Sequence, residues 1–338
     1  MSGRTQFEKL SKRGCDFLGV QFPILGGAMT WVSERSLTSA ISNAGGFGVL
    51  ACGAMTPELL RAEIEATREL TSKPFGLNLI TLHPRLLELI DVCGDLKVSH
   101  VVLAGGVPSQ EAMERVKATG AKLICFAPAL VMAKRLIKNG VDALVIEGHE
   151  AGGHIGPVST SVLVQEILPH IQEVPIFVAG GIGRGEAIAL YLSLGAAGCQ
   201  LGTRFVCAKE SRAHPHFKKA FMRGHARDAV VSPQLDPRFP VIPVRALANE
   251  GTKRFIEFQR QMIDAVDRGE KELKDAQMEI EHFWAGALRR AVVDGDVENG
   301  SLMAGQSVGM VKSEQTVQEI LNELVDEAMA TLESRLAL

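Results

Sequence analysis

Through the first 210 residues, short apolar runs alternate with longer stretches of helical spacing. The runs are Phe22–Leu25, Gly46–Cys52, Phe75–Ile80, His100–Leu103, Lys122–Phe126, Ala143–Glu147, Ile176–Ala179 and Gly198–Leu201. Runs of this length between Gly- or Pro-rich segments read as buried strands. The intervening stretches read as helices over Glu34–Asn43, Pro57–Leu70, Arg85–Val92, Ser109–Ala118, Ala129–Lys138, Ser161–Leu168 and Gly185–Leu194. Thr56 is an N-cap ahead of Pro57 at the first helical position, and Ser109 is a second N-cap.

Eight such units predict an α/β fold, the (β/α)8 TIM barrel. A doubly wound sheet produces the same alternation. It would concentrate its phosphate-binding glycines after the first strand. Here glycine-rich turns follow the first, sixth, seventh and eighth strands, and no G-x-G-x-x-G follows the first. Residues 1–210 are therefore assigned to the barrel. Residues 211–300 are expected to form a smaller helical cap over its mouth. Ser211–Arg245 holds five prolines and reads as loop and helix, while Thr252–Arg268 and Lys271–Ala291 read as charged helices. Gly295–Gly309 is a glycine-rich loop, and residues 301–338 are assigned to loop and a last helix, Gln315–Leu336, returning to the barrel.

A net charge of −3 gives no basic face for nucleic acid or anionic lipid, so neither is an expected partner. No apolar segment approaches the ~20 residues that span a bilayer, and the N-terminal segment lacks an apolar signal core. The six cysteines are scattered without a C-x-x-C pair and read as reduced thiols of a cytoplasmic protein.

Two turns carry the pattern of a phosphate site. Ala179-Gly180-Gly181-Ile182 and Gln200-Leu201-Gly202-Thr203 end the seventh and eighth strands, where barrels commonly bind phosphate through backbone N–H groups. Glycine lets the backbone approach the oxygens, and Thr203 adds a hydroxyl donor. The bland alternative is a pair of tight turns. The sixth strand leads into Glu147-Gly148-His149-Glu150-Ala151-Gly152-Gly153-His154. His154 is placed in the site as an acid, base or hydrogen-bond donor, because an imidazole beside glycines suits core packing poorly. The spacing does not fit H-E-x-x-H, and no metal is expected. Asn78 and Glu147 end the third and sixth strands; an amide there suits a heterocycle edge, and a buried carboxylate there needs a partner. His214-Pro215-His216 reads as a solvated loop. Met303-Ala304-Gly305-Gln306 either folds back over the mouth or connects into the last helix.

The chain resembles the FMN-dependent barrel superfamily of nitronate monooxygenases (formerly 2-nitropropane dioxygenases) and flavin-type enoyl-[acyl-carrier-protein] reductases. The residues that carry the resemblance are Pro23–Trp31, Asn43–Gly48, Pro74–Asn78, Glu147–Gly156, Ala179–Ile182, Gln200–Phe205 and Met303–Gln306. The resemblance implies that Ala28 and Met29 pass beside the flavin ring and that Asn78 binds its edge. Glu147, Gly152 and Gly153 would lie along the cofactor. Gly180 and Gly181, with Gln200, Leu201, Gly202 and Thr203, would hold the FMN phosphate, and His154 would face the substrate side. Ala28 stands where relatives often have glycine directly before the methionine.

Thr203–Ser211, His214-Pro215, Ala285–Ala291, Gly295-Asp296-Val297 and Met303–Gln306 look most like the enoyl reductase branch. That branch implies an NAD(P)H-dependent reductase of enoyl thioesters, with NADH or NADPH as electron donor and acyl carrier protein or a small acyl thioester as partner. The alternative is a nitronate monooxygenase oxidising alkyl nitronates with O2, in which the same histidine takes the acidic proton. An NAD(P)H:quinone reductase and a non-catalytic barrel that binds a partner through its surface are the remaining readings. Barrel flavoproteins of this kind are often homodimers, but no stretch identifies an interface.

Overall fold

A computed structural model describes residues 2–336 apart from 242 and 285, so Met1 of the N-terminal segment and Ala285 of the motif Ala285–Ala291 lie outside the described residues. Eight parallel strands form the barrel: β1 (Ile24–Gly26), β2 (Gly48–Ala51), β3 (Phe75–Ile80), β4 (His100–Ala104), β5 (Lys122–Phe126), β6 (Ala143–Glu147), β8 (Ile176–Ala179) and β9 (Gly198–Leu201). The short strand β7 (Gly153–His154) lies outside it, in the sixth loop. Strand order is β1-β9-β8-β6-β5-β4-β3-β2. A parallel bridge between Leu25 and Phe47 closes the ring, with Phe47 N donating to Ile24 O at 2.9 Å and Gly26 N to Phe47 O at 2.9 Å. The expected TIM barrel is present.

Side chains alternate across each strand. One set faces the surrounding helices. The other set, including Leu25, Val49, Val102, Ile124, Val145 and Phe177, fills the barrel interior. Phe177 is fully buried there, and truncating it to Ala would cost about 3–5 kcal/mol. The helix Gly3–Leu18 stops the N-terminal end of the barrel: Leu18 joins the interior cluster, and Phe17 meets His100 edge-on at 5.3 Å between ring centroids. Ser2 caps this helix by accepting from Thr5 N, and Gly19 ends it at φ 70°. With the bottom filled, the accessible end is the C-terminal one, where the βα loops lie.

The predicted caps are seen, with Thr56 accepting from Leu59 N and Ser109 from Ala112 N. The region after the barrel departs from expectation in two ways. Ser211–Arg245 was expected to be loop and helix, but it also supplies β10 (Ala229–Val231) and, with the residues that follow, β11 (Val244–Leu247). These join β7 in an antiparallel sheet of order β10-β11-β7. The single helix expected over Lys271–Ala291 is two, Leu273–His282 and Ala287–Val292, with Gly286 at φ 70° at the second one's N-cap. A left-handed residue there breaks the helical path. The helix Glu250–Asp267 begins at a capping box in which Asn249 Oδ1 accepts from Thr252 N at 3.0 Å and Thr252 Oγ1 from Asn249 N at 3.3 Å. Phe239, Phe255, Met262, Ala276 and Ile280 give this region a small core of its own. The last helix, Val317–Leu336, packs on the helices Gly3–Leu18 and Gly185–Ser193.

Candidate active site

The register between β8 and β9 pairs Ala179 with Gln200, so the two glycine turns leave the barrel side by side at the same end. Gly180 and Gly181 have φ of 95° and 73°. Positive φ at both makes a tight turn, and successive N–H groups in a turn form a concavity that suits an anion. Among the described residues, no backbone acceptor outside regular structure takes the N–H of Gly181, Gly202 or Thr203. The N-terminus of the helix Gly185–Ser193 is already occupied, because Glu327 accepts from Gly185 N at 2.8 Å and pairs with Arg184 at 2.9 Å. The N–H groups left open at this end are therefore those of the paired turns and the start of the short helix Thr203–Val206. Thr203 Oγ1 accepts from Gly305 N at 2.9 Å, which leaves its own proton free to donate.

The β1 turn lies against the Gly202 turn. A Cβ on Gly27 would sit 3.5 Å from Gly202 Cα, and one on Gly202 would sit 3.6 Å from Met29 Sδ. Ser33 fixes the turn by donating to Gly27 O at 2.9 Å and accepting from Met29 N at 3.0 Å. No sequence signal singles out Ser33; its part follows from the tertiary turn. Ala28 packs on the interior cluster. Trp31, on the same loop, holds φ 68° and is 44% exposed, with the Arg289 guanidinium 5.9 Å from its ring. A large residue in this region of φ/ψ is strained, and such strain gathers at functional sites.

The inward parity of each strand places Asn78, Glu147 and Gln200 inside the barrel at its open end, as Ala51↔Asn78, Glu147↔Ala179 and Ala179↔Gln200 pairs show. None of the three side chains has a hydrogen-bond partner among the described residues. Burial raises the Glu147 carboxyl to about 8, so at neutral pH it is mostly protonated and carries an O–H to donate. Leu201 has the opposite parity: its side chain belongs to the outer core, and its carbonyl accepts from Gly27 N at 2.8 Å. Leu201 thus offers the site backbone only.

The sixth loop is held by contacts invisible in the sequence. Glu150 Oε2 accepts from Thr160 N and Thr160 Oγ1, both at 2.9 Å. Buried Arg245 donates to His149 O at 3.1 Å and to Ala229 O. Gly152 lies so close to residues 304–305 that a Cβ would stand 2.5 Å from Gly305 N. The late Met303–Gln306 segment therefore folds back on the mouth. His154 pairs with Val244 in the β7–β11 ladder, which fixes its backbone at the rim. Its side chain opens into a cavity of about 650 Å³ whose other lining residues fall between positions 230 and 303, among them Val241, Phe255, Ile280, Trp284 and Leu302. The surrounding protein lowers its pKa below the usual 6.5, so the imidazole is neutral at pH 7. Gly153, at φ 77°, sets the turn before it. The rings of His214 and His216 meet edge to face with centroids 4.7 Å apart, and among the described residues no group of three or more metal-binding side chains is found.

Taken together, paired glycine turns with free N–H groups and three unpartnered inward polar groups suit a ligand with an anionic tail and a polar edge, and an apolar chamber lined by one imidazole suits a second, apolar ligand. The nitronate monooxygenase family model matches residues 11–93 and 85–327. A (3aS,4S,5R,7aS)-5-hydroxy-7a-methyl-1-oxo-octahydro-1H-indene-4-carboxyl-CoA dehydrogenase of Mycobacterium tuberculosis is 30% identical over 96% of this chain and 97% of its own. FabK from Thermotoga maritima is 35% identical with a TM-score of 0.87, covering 96% of this chain and 98% of that one. A nitroalkane oxidase from Streptomyces ansochromogenes is 25% identical with a TM-score of 0.76, covering 96% and 99%.

Proposed function

The chain belongs to the nitronate monooxygenase family of oxidoreductases, and we propose that within it this protein is an FMN-dependent reductase of enoyl thioesters that draws electrons from NADH or NADPH. The observation that carries the choice is the apolar chamber of about 650 Å³ beside His154. Small alkyl nitronates would leave most of it empty, whereas an acyl chain would bury its apolar surface there. A relative whose name specifies a carboxyl-CoA substrate agrees with a thioester.

The residues present fit FMN. Gly181, Gly202 and Thr203 would hold its phosphate through backbone N–H groups, with the Gly180 turn and the Thr203 hydroxyl alongside. Ala28, Met29, Gly152 and Gly153 would flank the ring, and Asn78, Gln200 and protonated Glu147 would hydrogen-bond its polar edge. When bound, FMN supplies hydride transfer between a nicotinamide and the substrate. His154, neutral at pH 7, would donate a hydrogen bond from its ring N–H to the thioester carbonyl oxygen, drawing charge away from the β-carbon. The cap would exclude water from the acyl chain.

Anaerobic stopped-flow tests the reading. NADPH or NADH is expected to bleach the flavin, and crotonyl thioester to restore its colour; flavin that stays reduced in the presence of the thioester would end this assignment. The second reading, nitronate oxidation with O2, draws on the family match and on the neutral imidazole, which suits proton abstraction next to a nitro group. Oxygen uptake with propyl-2-nitronate and no nicotinamide would favour it.

A further inference from the structure

The chamber beside His154 is apolar except for a few side chains, and most of those are already engaged. Asn249 donates to Val297 O and Gly300 O, Thr252 bonds back to Asn249, and Ser232 donates to Val244 O. Ser301 differs. It lines the chamber and is 7% exposed, yet its hydroxyl has no hydrogen-bond partner among the described residues. A hydroxyl that faces an apolar chamber with no protein partner is free to bond a ligand oxygen.

Its position relative to His154 follows from the ladder. On one edge of β11, His154 pairs with Val244 and Met303 bridges Ala246. Leu247 N then donates to Leu302 O at 2.9 Å, so the antiparallel run brings Ser301 about level with Ala248. That is four residue steps beyond His154, or roughly 13 Å at about 3.4 Å per residue.

Resting on the thioester reading above, we infer that Ser301 selects acyl groups bearing a distal oxygen, a hydroxyl or oxo group at the far end of the chain from the thioester. His154 would hold the carbonyl at the mouth and Ser301 the second oxygen at the other end, with apolar surface between. This makes the substrate class an oxygenated acyl thioester rather than a plain fatty acyl one.

The test uses the flavin-loaded protein and two saturated, unreactive ligands, decanoyl-CoA and 10-hydroxydecanoyl-CoA. Binding is read by calorimetry and by the fluorescence of Trp284, which lines the chamber. The hydroxylated ligand is expected to bind about fivefold more tightly, the value of one ordinary hydrogen bond. Ser301→Ala should abolish that preference while leaving decanoyl-CoA binding unchanged, and Ser301→Thr, which keeps the hydroxyl, should retain it. Equal affinity for both ligands in the unaltered protein, or a preference that survives Ser301→Ala, would overturn the assignment to Ser301 and leave the thioester reading standing. Binding of neither ligand would overturn both.

Discussion

Three glycines of the sixth loop look alike in sequence but should respond differently to alanine. A Cβ on Gly152 would stand 2.5 Å from Gly305 N and 2.6 Å from Ala304 C. Both obstacles are backbone, so the 303–306 segment must move as a unit. Overpacking of this kind costs about 1–3 kcal/mol. The shift also breaks the bond from Gly305 N to Thr203 Oγ1, worth about 1 kcal/mol. The expected loss for Gly152→Ala is therefore about 3 kcal/mol. Gly153 meets only Met303 Sδ, at 3.6 Å, but its φ of 77° is left-handed. Gly153→Ala should cost about 1–2 kcal/mol. Gly156 has nothing within 4 Å and no positive φ, so Gly156→Ala should be neutral or slightly stabilising. Urea unfolding of the flavin-free protein gives the three stabilities, and quenching of FMN fluorescence gives the three cofactor affinities. Gly152→Ala should also weaken FMN most, because it disturbs Thr203. Gly152→Ala within about 0.5 kcal/mol of the unaltered protein, or less costly than Gly153→Ala, would refute the packing argument.

Further expectations concern the site itself. Glu147 has a folded pKa of about 8, above its unfolded value near 4.5, so the flavin-free protein should lose stability as pH rises between those values. Glu147→Gln should flatten that dependence in thermal melts recorded from pH 5 to about 9. His154→Ala should keep FMN bound, by its absorption spectrum, yet slow turnover; unchanged turnover would leave His154 a structural residue. Because partial desolvation lowers the pKa of His154 below 6.5 although the residue is exposed, the acid limb of the pH–rate profile should lie below that of an ordinary histidine and vanish in the Ala variant. Thr203→Val, which keeps the shape but leaves the Gly305 N–H unpaired, should cost about 1–3 kcal/mol and weaken FMN binding measured by fluorescence.

The barrel could be read from the chain because its strands are buried on both faces. Phe75–Ile80, Lys122–Phe126, Ala143–Glu147, Ile176–Ala179 and Gly198–Leu201 fall on their predicted bounds, each set off by Gly, Pro or a polar turn. The N-terminal helix is not legible in the sequence because three of its five buried positions are Gly3, Ser11 and Gly14, which give no apolar stripe. The three-stranded sheet β10-β11-β7 is hidden for another reason. Gly153–His154 has no strand propensity, and Ala229–Val231 finds Val244–Leu247 across a proline-rich stretch, so pairing rather than local preference makes these strands. Among the polar groups of the site, Glu147 and His154 could be picked out because they end and follow the sixth strand, and Asn78 because it is an amide in an apolar run, although it lies inside β3 and does not end it. Ser33, Glu150 and Ser301 could not, since their partners or surroundings are remote in sequence.

The imidazole does not ride on the barrel proper. It sits on the outermost rung of a ribbon whose other two rungs belong to the cap. Whatever wedges the cap apart must tug that rung with it, so the bulk of a guest in the hollow and the aim of the histidine are mechanically geared. Guests of unequal girth should then differ in how fast they react as well as in how tightly they are held.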